Sequence, residues 1–246
     1  MVEFAYEFDE TRNQMKTLGL VVLQSDETIE HDFRRMLPTN IALHVSRIPN
    51  QVEVTRETLG EMEHSLPASI NMMPEGLSFD AVGYGCTSGT SVIGPARIAE
   101  LVHSRGQVKQ VSEPVSALLA ACEELDIKKL AFLSPYIETV SAGLRNVLNE
   151  NGVETPVFGS FNESNDSKVV RISSKSVYDA AVTLGLNSGC DALFMSCTNL
   201  RTLEVIEKIE DTLGMPILSS NQVLAWHLAR LSGIDLKAEG YGRLLA

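Results

Sequence analysis

Two of the four cysteines lie in similar segments of the sequence. Residues 80–87 read DAVGYGCT and residues 191–198 read DALFMSCT, so Cys86 and Cys197 each end an Asp-Ala…Cys-Thr unit, at an offset of 111 residues (197 minus 86). Each copy places its cysteine at the carboxyl end of an apolar run that is typical of a buried strand. The repeat predicts a duplicated strand–helix unit with two thiols at equivalent positions of two similar halves.

Small polar residues follow both cysteines. Gly, Ser and Thr occupy residues 87–91, and Thr198 and Asn199 follow Cys197. Backbone N–H groups and hydroxyls that converge in such loops can bind a carboxylate or a developing oxyanion. The amino end of a helix at the same place lowers the pKa of a thiol. We therefore expect two thiols that ionise near neutral pH beside a carboxylate-binding loop.

Polar residues also follow other predicted strands, at the edge of a parallel sheet where ligands bind. Ser25 and Asp26 come after the first apolar run, where they could equally cap the next helix. Tyr136 follows the fifth run. Its hydroxyl is expected to face a ligand, and a packed aromatic ring is the alternative. Asn165 lies in a polar loop after the sixth run, for which ordinary turn chemistry is the alternative. The predicted substrate-binding residues are Ser25, Asp26, Thr87, Ser88, Tyr136, Asn165 and Thr198.

Other uses of cysteine find less support in the sequence. Cys122 lies in an apolar helical stretch and Cys190 closes another helix, so both are interpreted as packing residues. The sequence contains no C-x-x-C or H-E-x-x-H motif, and its five histidines are scattered. Walker-type loops and G-x-G-x-x-G fingerprints are also absent. We expect neither a metal nor an organic cofactor.

Short apolar runs alternate with stretches of helical period. Strands that are apolar throughout and separated by helices are typical of parallel sheets with crossover helices, so the fold class is α/β. The predicted strands are Leu18–Leu23, Ile41–Val45, Phe79–Gly83, Gln107–Val111, Leu130–Ser134, Thr155–Phe158, Ala192–Ser196 and Pro216–Ser219. The predicted helices are Thr28–Leu37, Val54–Leu66, Pro95–Ser104, Pro114–Leu125, Glu138–Glu150, Lys175–Leu186, Leu203–Leu213 and Gln222–Leu231.

The repeat divides this α/β chain into two lobes. We expect them to be pseudo-symmetric, each a parallel sheet flanked by helices, with the active site in the cleft between them. Residues 1–112 together with residues 220–246 form the first predicted lobe, and residues 113–219 form the second. The last helix is expected to pack back on the first lobe.

Charge and composition exclude several partners. A net charge of −12 argues against nucleic acid and against anionic membrane surfaces. No apolar run approaches the roughly 20 residues of a membrane span, and the first ten residues lack the pattern of a signal peptide. We expect a cytoplasmic protein, in whose reducing environment cysteines serve thiol chemistry or burial. A small carboxylate is the expected partner, and a homo-oligomer is compatible with the sequence.

The chain resembles the aspartate/glutamate racemase superfamily, in the branch of maleate cis-trans isomerases and arylmalonate decarboxylases. It is most similar there to ectoine-utilisation proteins. The resemblance extends from Leu18 onward, and five motifs carry it: Leu23–Glu30, Gly83–Thr90, Ala131–Tyr136, Ser196–Thr202 and Pro216–Gly233.

The resemblance implies roles for individual residues. Cys86 matches the first catalytic cysteine of the isomerases and racemases, which is glycine in the decarboxylases, and Cys197 matches the second. Thr87 and Ser88 match a hydroxyl pair that binds a substrate carboxylate in the decarboxylases. Tyr136 matches a tyrosine of their pocket, and Asn165 matches an asparagine that contacts maleate in the isomerases.

Two departures from the isomerase pattern concern the substrate. The isomerases usually carry Asn where this chain has Asp26. Their residues after the first cysteine are apolar, whereas here they carry hydroxyls.

These features predict a cofactor-independent isomerase that uses two cysteines on a small carboxylate. Cis-trans isomerisation by thiolate addition to a maleate-like C=C bond is one reaction. Racemisation of an amino-acid derivative, with one cysteine removing a proton and the other donating one, is the other, and ectoine degradation is a candidate setting. Arylmalonate-type decarboxylation is an alternative that Cys86 disfavours. A non-catalytic carboxylate-binding protein is a further alternative, against which the paired thiols argue.

Overall fold

The structure is a computed structural model and describes residues 1–9 and 15–246. The described residues form two four-stranded sheets, with strand orders β2-β1-β3-β4 and β6-β5-β7-β8. All paired strands are parallel, which confirms the predicted fold class. The strands are β1 (Lys16–Leu23), β2 (Ile41–Ile48), β3 (Phe79–Gly85), β4 (Val108–Ser112), β5 (Lys129–Tyr136), β6 (Glu154–Glu163), β7 (Ala192–Met195) and β8 (Ile217–Ser219).

Ten α-helices connect and cover these sheets in the part of the chain that is described. Each predicted helix is present with ends shifted by a few residues, whereas α3 and α7 are additional. The helices are α1 (Ile29–Met36), α2 (Arg56–Asn71), α3 (Thr87–Ile93), α4 (Pro95–His103), α5 (Pro114–Glu124), α6 (Glu138–Glu150), α7 (Asp166–Val169), α8 (Ser174–Gly185), α9 (Ile206–Leu213) and α10 (Ser220–Leu231).

The helix α3 corrects the prediction of a loop after Cys86. Its small residues have low helix propensity, so the sequence pattern gives little helical signal. Gly94, with a φ of 91°, ends the helix, and Pro95 at once begins α4. A short helix therefore starts directly after the cysteine.

The central strands are buried because helices cover both faces of each sheet. Both β1 and β5 bury every residue except the first. This burial explains the apolar runs that the sequence shows at both places.

The repeated Asp-Ala unit has the same structural role in both sheets. Asp80 in β3 accepts a hydrogen bond of 3.0 Å from the backbone N–H of Thr17 in the neighbouring β1. Asp191, just before β7, accepts one of 2.8 Å from the backbone N–H of Lys129 in the neighbouring β5. Each aspartate thus fixes the start of the central strand next to it, which supports a duplicated unit.

The final helix connects the two halves. It follows β8 of the second sheet but packs against β3 and β4 of the first sheet, and also against α1 and α5. The lobe boundaries at residues 112 and 219 stay a prediction, and residues 10–14 of the first predicted lobe lie outside the described residues. Among the described helices, none has both the length and the apolar character needed to cross a membrane.

Candidate active site

One cleft contains both cysteines of the repeat. The space between its walls is about 440 Å³, a figure that includes open solvent. Six of the residues predicted for the site line it: Cys86, Thr87, Ser88, Tyr136, Cys197 and Thr198. The remaining lining residues are Leu23, Asn50, Gln51, Glu53, Val54, Thr58, Leu59, Met62, Asp166 and Asn199.

Cys86 is the N-cap residue of α3 at the end of β3. Its Sγ accepts a hydrogen bond of 3.2 Å from the backbone N–H of Gly89. A Cβ at residue 89 would lie 2.9 Å from that sulfur and 2.7 Å from the Tyr84 hydroxyl, so only glycine allows this close approach. The thiol is held by the first turn of the helix that it caps.

Cys197 lies in a loop with an unusual backbone conformation. Its φ of 104° is rare for a residue with a side chain, and strain of this kind is often found at functional sites. The backbone N–H of Cys197 donates a hydrogen bond of 3.0 Å to Ser220 Oγ in α10. Its Sγ lies 3.2 Å from the Tyr136 hydroxyl.

Asp166 connects this thiol to a network of neutral donors. The Tyr136 hydroxyl donates to Asp166 Oδ1 at 2.7 Å. The Ser25 hydroxyl and the Asn199 amide donate to Oδ2, at 2.5 Å and 3.2 Å. With 2% of its surface exposed, Asp166 is a buried carboxylate on the wall of the cleft.

Both thiols are protonated at neutral pH in this structure, contrary to the prediction. Burial raises the pKa of Cys86 to about 12 and raises that of Cys197 well above its usual range, and the charges of Asp166 and Asp26 act in the same direction. The Gly89 N–H lowers the pKa of Cys86, and the Tyr136 hydroxyl lowers that of Cys197, but neither offsets the loss of hydration. The sequence indicates the helix end but not the depth of burial.

Ser25 and Asp26 contact the cleft only through other residues and do not line it. Asp26 Oδ1 accepts hydrogen bonds of 2.8 Å from the N–H groups of Thr28 and Ile29, so Asp26 caps the first turn of α1. Burial raises the pKa of Asp26 to about 6. Asp26 therefore caps a helix, which was the alternative prediction. Ser25 hydrogen-bonds Asp166 and does not face the cleft.

Asn165 also lies outside the lining. Its side chain accepts a hydrogen bond of 3.0 Å from the N–H of Ser167 and caps α7. The next residue, Asp166, lines the cleft instead. The loop after the sixth strand is shorter than predicted because β6 continues to Glu163, and a substrate contact of Asn165 stays a prediction.

A segment from the first half of the chain pairs with this loop across the cleft. We name residues 50–54 the strap. The N–H of Val54 donates to Ser164 O at 3.0 Å, and the N–H of Asp166 donates to Val52 O at 3.1 Å. Between them Glu53 and Asn165 form an antiparallel bridge. The strap forms one wall of the cleft and holds the backbone of Asp166.

Ser220 forms hydrogen bonds to both cysteine loops. It was not among the residues predicted for the site. The Thr87 hydroxyl donates to Ser220 Oγ at 2.8 Å, and the same oxygen accepts from the Cys197 N–H. The signal that could have found this region is the capping box of Ser219 and Gln222, which marks the start of α10.

The other two cysteines lie away from the cleft. All four cysteines are unpaired thiols; Cys122 is buried on α5, and Cys190 is half-buried. Within residues 1–9 and 15–246, no cluster of three or more His, Cys, Asp or Glu side chains could hold a metal ion.

Two lobes of equal topology each bring one cysteine to a shared cleft. A family model described as arylmalonate decarboxylase matches residues 98–245, more than half of the chain. The chain belongs to this family.

Curated relatives include isomerases and a decarboxylase. The maleate isomerase of Geobacillus stearothermophilus is 23% identical over 93% of this chain and 96% of its own length. The arylmalonate decarboxylase of Bordetella bronchiseptica is 29% identical over 52% of this chain and 55% of its own length.

Solved structures of both kinds share the fold. A cysteine-to-serine variant of the Nocardia farcinica maleate cis-trans isomerase, with a covalently bound succinylcysteine intermediate, superimposes with a TM-score of 0.83, at 22% identity over 94% of this chain and 98% of that one. A liganded arylmalonate decarboxylase with glycine-to-cysteine and cysteine-to-serine replacements gives 0.81, at 22% identity over 94% and 99%. The predicted branch and enzyme class agree with these relatives, whereas the similarity to ectoine-utilisation proteins stays a prediction.

Proposed function

We propose that this protein is a cofactor-independent isomerase that acts on a small carboxylate with Cys86 and Cys197. The observation that carries this proposal is that two equivalent strand ends bring these cysteines to the same cleft. Each sulfur has a donor that stabilises its thiolate: the Gly89 N–H at Cys86 and the Tyr136 hydroxyl at Cys197. Either cysteine can therefore act as the base while the other acts as the acid.

The substrate carboxylate binds among the hydroxyl groups that follow the cysteines. Thr87, Ser88 and Thr198 line the cleft next to the two sulfurs. Both isomerase reactions place negative charge on this carboxylate as they proceed, and fixed donors in a buried cleft stabilise such charge. The reacting carbon then lies between the two sulfurs.

Racemisation is the first candidate reaction. One thiolate removes the proton from the carbon next to the carboxylate, which gives an enediolate, and the other thiol donates its proton to the opposite face. The raised pKa values keep the acid protonated, whereas the cysteine that acts as the base must first lose its proton. The resemblance to ectoine-utilisation proteins directs the substrate search to amino-acid derivatives of ectoine breakdown.

Cis-trans isomerisation is the second candidate reaction, and the relatives favour it. The curated relatives that match over most of their length are named maleate isomerases, and the Nocardia structure contains a succinylcysteine intermediate. In this reaction one thiolate adds to a C=C bond, the resulting single bond rotates, and the thiolate leaves again. Decarboxylation has less support, because Cys86 occupies the place of the decarboxylase glycine in the resemblance.

Turnover in heavy water distinguishes the two reactions. The first step is a thermal-shift screen of small carboxylates, including maleate and amino-acid derivatives, to find those that stabilise the protein. Racemisation incorporates deuterium at the carbon next to the carboxylate, whereas addition followed by elimination of the same thiolate forms product without that exchange. Mass spectrometry of the recovered product measures the incorporation.

Cysteine variants provide the control for this experiment. Cys86→Ser and Cys197→Ser should each slow product formation by about a hundredfold or more, whereas Cys190→Ser, at a half-buried thiol outside the cleft, should leave it unchanged. Product formation at the wild-type rate in both of the first two variants would contradict the proposed function.

A further inference from the structure

The charged side chains that line the cleft are all acidic among the residues the structure describes. These side chains belong to Glu53 in the strap and to Asp166 beside Tyr136. The lining contains no Lys, Arg or His. A cleft that serves only an anionic ligand would be expected to carry the opposite charge.

The negative charge of Asp166 has no cation beside it. Its hydrogen-bond partners at the carboxylate are the neutral side chains of Tyr136, Ser25 and Asn199. No described Lys, Arg or His forms an ion pair with it within 4 Å. Removing a carboxylate from water without a cation is unfavourable, so a bound cationic group would stabilise this arrangement.

A second buried carboxylate lies close to the first. Asp26 is 2% exposed, its charge raises the pKa of both cysteines, and the charge of Asp166 in turn raises the pKa of Asp26. Two acids therefore surround the cysteine pair without a compensating positive charge.

A ligand with two carboxylates fits this charge pattern poorly. One carboxylate can bind the hydroxyls of Thr87 and Ser88, next to Cys86. The other would approach Asp166 on the Cys197 side, where two like charges repel each other in a buried site.

We propose that the substrate carries a cationic nitrogen as well as its carboxylate, and that Asp166 binds this nitrogen while Thr87 and Ser88 bind the carboxylate. The substrate class is that of small amino acids and their amine-bearing derivatives. The inference rests on the proposed two-cysteine isomerase function, because it assigns the ligand of that same cleft.

Binding of a cation beside Asp166 would also affect the thiols. The carboxylates of Asp166 and Asp26 raise the pKa of Cys86 and Cys197, after burial itself. A positive charge next to these acids reduces their effect and lowers both pKa values. The correct substrate thus helps to form the thiolate that acts on it.

A pair of simple ligands tests the assignment by calorimetry. Succinate and 4-aminobutyrate both carry a carboxylate on a short chain, but the second ligand has an ammonium group where the first has another carboxylate. We expect the wild-type protein to bind 4-aminobutyrate about tenfold to a hundredfold more tightly, the range typical of a charge-assisted hydrogen bond. In Asp166→Asn this preference should disappear or reverse, whereas Asp235→Asn at an exposed position should keep it.

The binding experiment tests the charge assignment separately from the catalytic reaction. Equal or tighter binding of succinate by the wild-type protein would overturn the inference even if Asp166→Asn failed to fold. So would a preference that Asp166→Asn, folded by its thermal unfolding curve, left unchanged. If the preference appears but Cys86→Ser and Cys197→Ser turn over normally, the charge assignment holds and the proposed two-cysteine reaction fails.

Discussion

The two cysteine loops occupy equivalent places in their sheets but surround the sulfur differently. Cys86 begins a helix and accepts a hydrogen bond from the backbone of Gly89. Cys197 lies in a loop with a φ of 104° and contacts the side chain of Tyr136, which is bound to Asp166. Both thiols have a backbone N–H and a tyrosine hydroxyl that lower the pKa, but the order differs. The backbone of Gly89 has the larger effect at Cys86, whereas the Tyr136 hydroxyl has the larger effect at Cys197, so Cys197 is the easier one to change by substitution.

Removal of either thiol should have the largest effect. Cys86→Ser and Cys197→Ser should each slow interconversion by about a hundredfold to ten-thousandfold, since each removes one acid–base group. If the two loops face opposite sides of the substrate carbon, each variant should still exchange the proton of one enantiomer, and the two should differ in which one. Deuterium exchange of each separate enantiomer, followed by NMR, measures this. Exchange of the same enantiomer by both variants would show that the loops are not opposed.

The neighbouring tyrosines test the difference between the loops directly. Tyr136 lowers the pKa of Cys197, and Tyr84 lowers that of Cys86, in each case against the larger effect of burial. Tyr136→Phe should therefore slow alkylation of Cys197 at pH 9, because a higher pKa leaves a smaller fraction of thiolate. Tyr84→Phe should slow alkylation of Cys86.

Iodoacetamide labelling read by peptide mass spectrometry reports both sites in one sample. Each variant is the control for the other, and Cys190 is the internal reference. A change at both cysteines in either variant would contradict the separation of the two environments.

The Cys197 loop has a further support whose effect depends on pH. Asn221 donates 2.8 Å hydrogen bonds to Thr198 O and to Asp32 Oδ2. Burial raises the pKa of Asp32 from 3.8 to about 7. Because the folded state holds this proton more tightly, the associated stability is present below about pH 4 and is lost as the pH rises through 7. Asp32→Asn should remove this loss, which is about 3 kcal/mol between pH 4.5 and pH 7.5.

Urea unfolding at pH 4.5 and pH 7.5 measures this pH-dependent loss of stability. The difference in unfolding free energy between the two pH values should change in Asp32→Asn and stay the same in Asp235→Asn. An unchanged difference in Asp32→Asn would place the folded-state pKa of Asp32 near its ordinary value.

The smallest expected effect is the loss of stability on replacing the aspartate that both halves of the repeat contain. Asp80 and Asp191 each accept backbone hydrogen bonds at the start of the central strand. Asp80→Ala and Asp191→Ala should each destabilise the protein by about 1 kcal/mol, or roughly 2–4 °C in Tm. The double variant should show the sum, because the two sites lie in separate sheets. Calorimetry that found an effect at only one aspartate would show that the repeat is equivalent in sequence alone.

The sequence predicted what depends on local pattern. Apolar runs marked all eight described strands, and the Asp-Ala…Cys-Thr repeat marked both thiols of the cleft. Asn165 was predicted because it matches an isomerase asparagine in the resemblance, whereas in the structure its neighbour Asp166 lines the cleft. β6 runs on to Glu163, and its pairing with β5 shifts register near Tyr136, an irregularity that leaves no periodic signal in the sequence.

Features that arise from distant contacts were not predictable. The strap meets residues 164–166 across more than a hundred positions of sequence, and Ser220 comes from the last helix. The expected low thiol pKa also failed for this reason, because the depth of burial depends on how the whole chain folds around Cys86 and Cys197.

The strap makes the position of one acid depend on both halves of the chain. Residues 50–54 form a wall of the cleft and pair with residues 164–166 of the second half. The N–H of Asp166 is one of the donors in that pairing, so the backbone of this acid is held by a segment more than a hundred positions away. A substitution in the strap is therefore expected to shift Asp166 although it lies in the other half of the sequence.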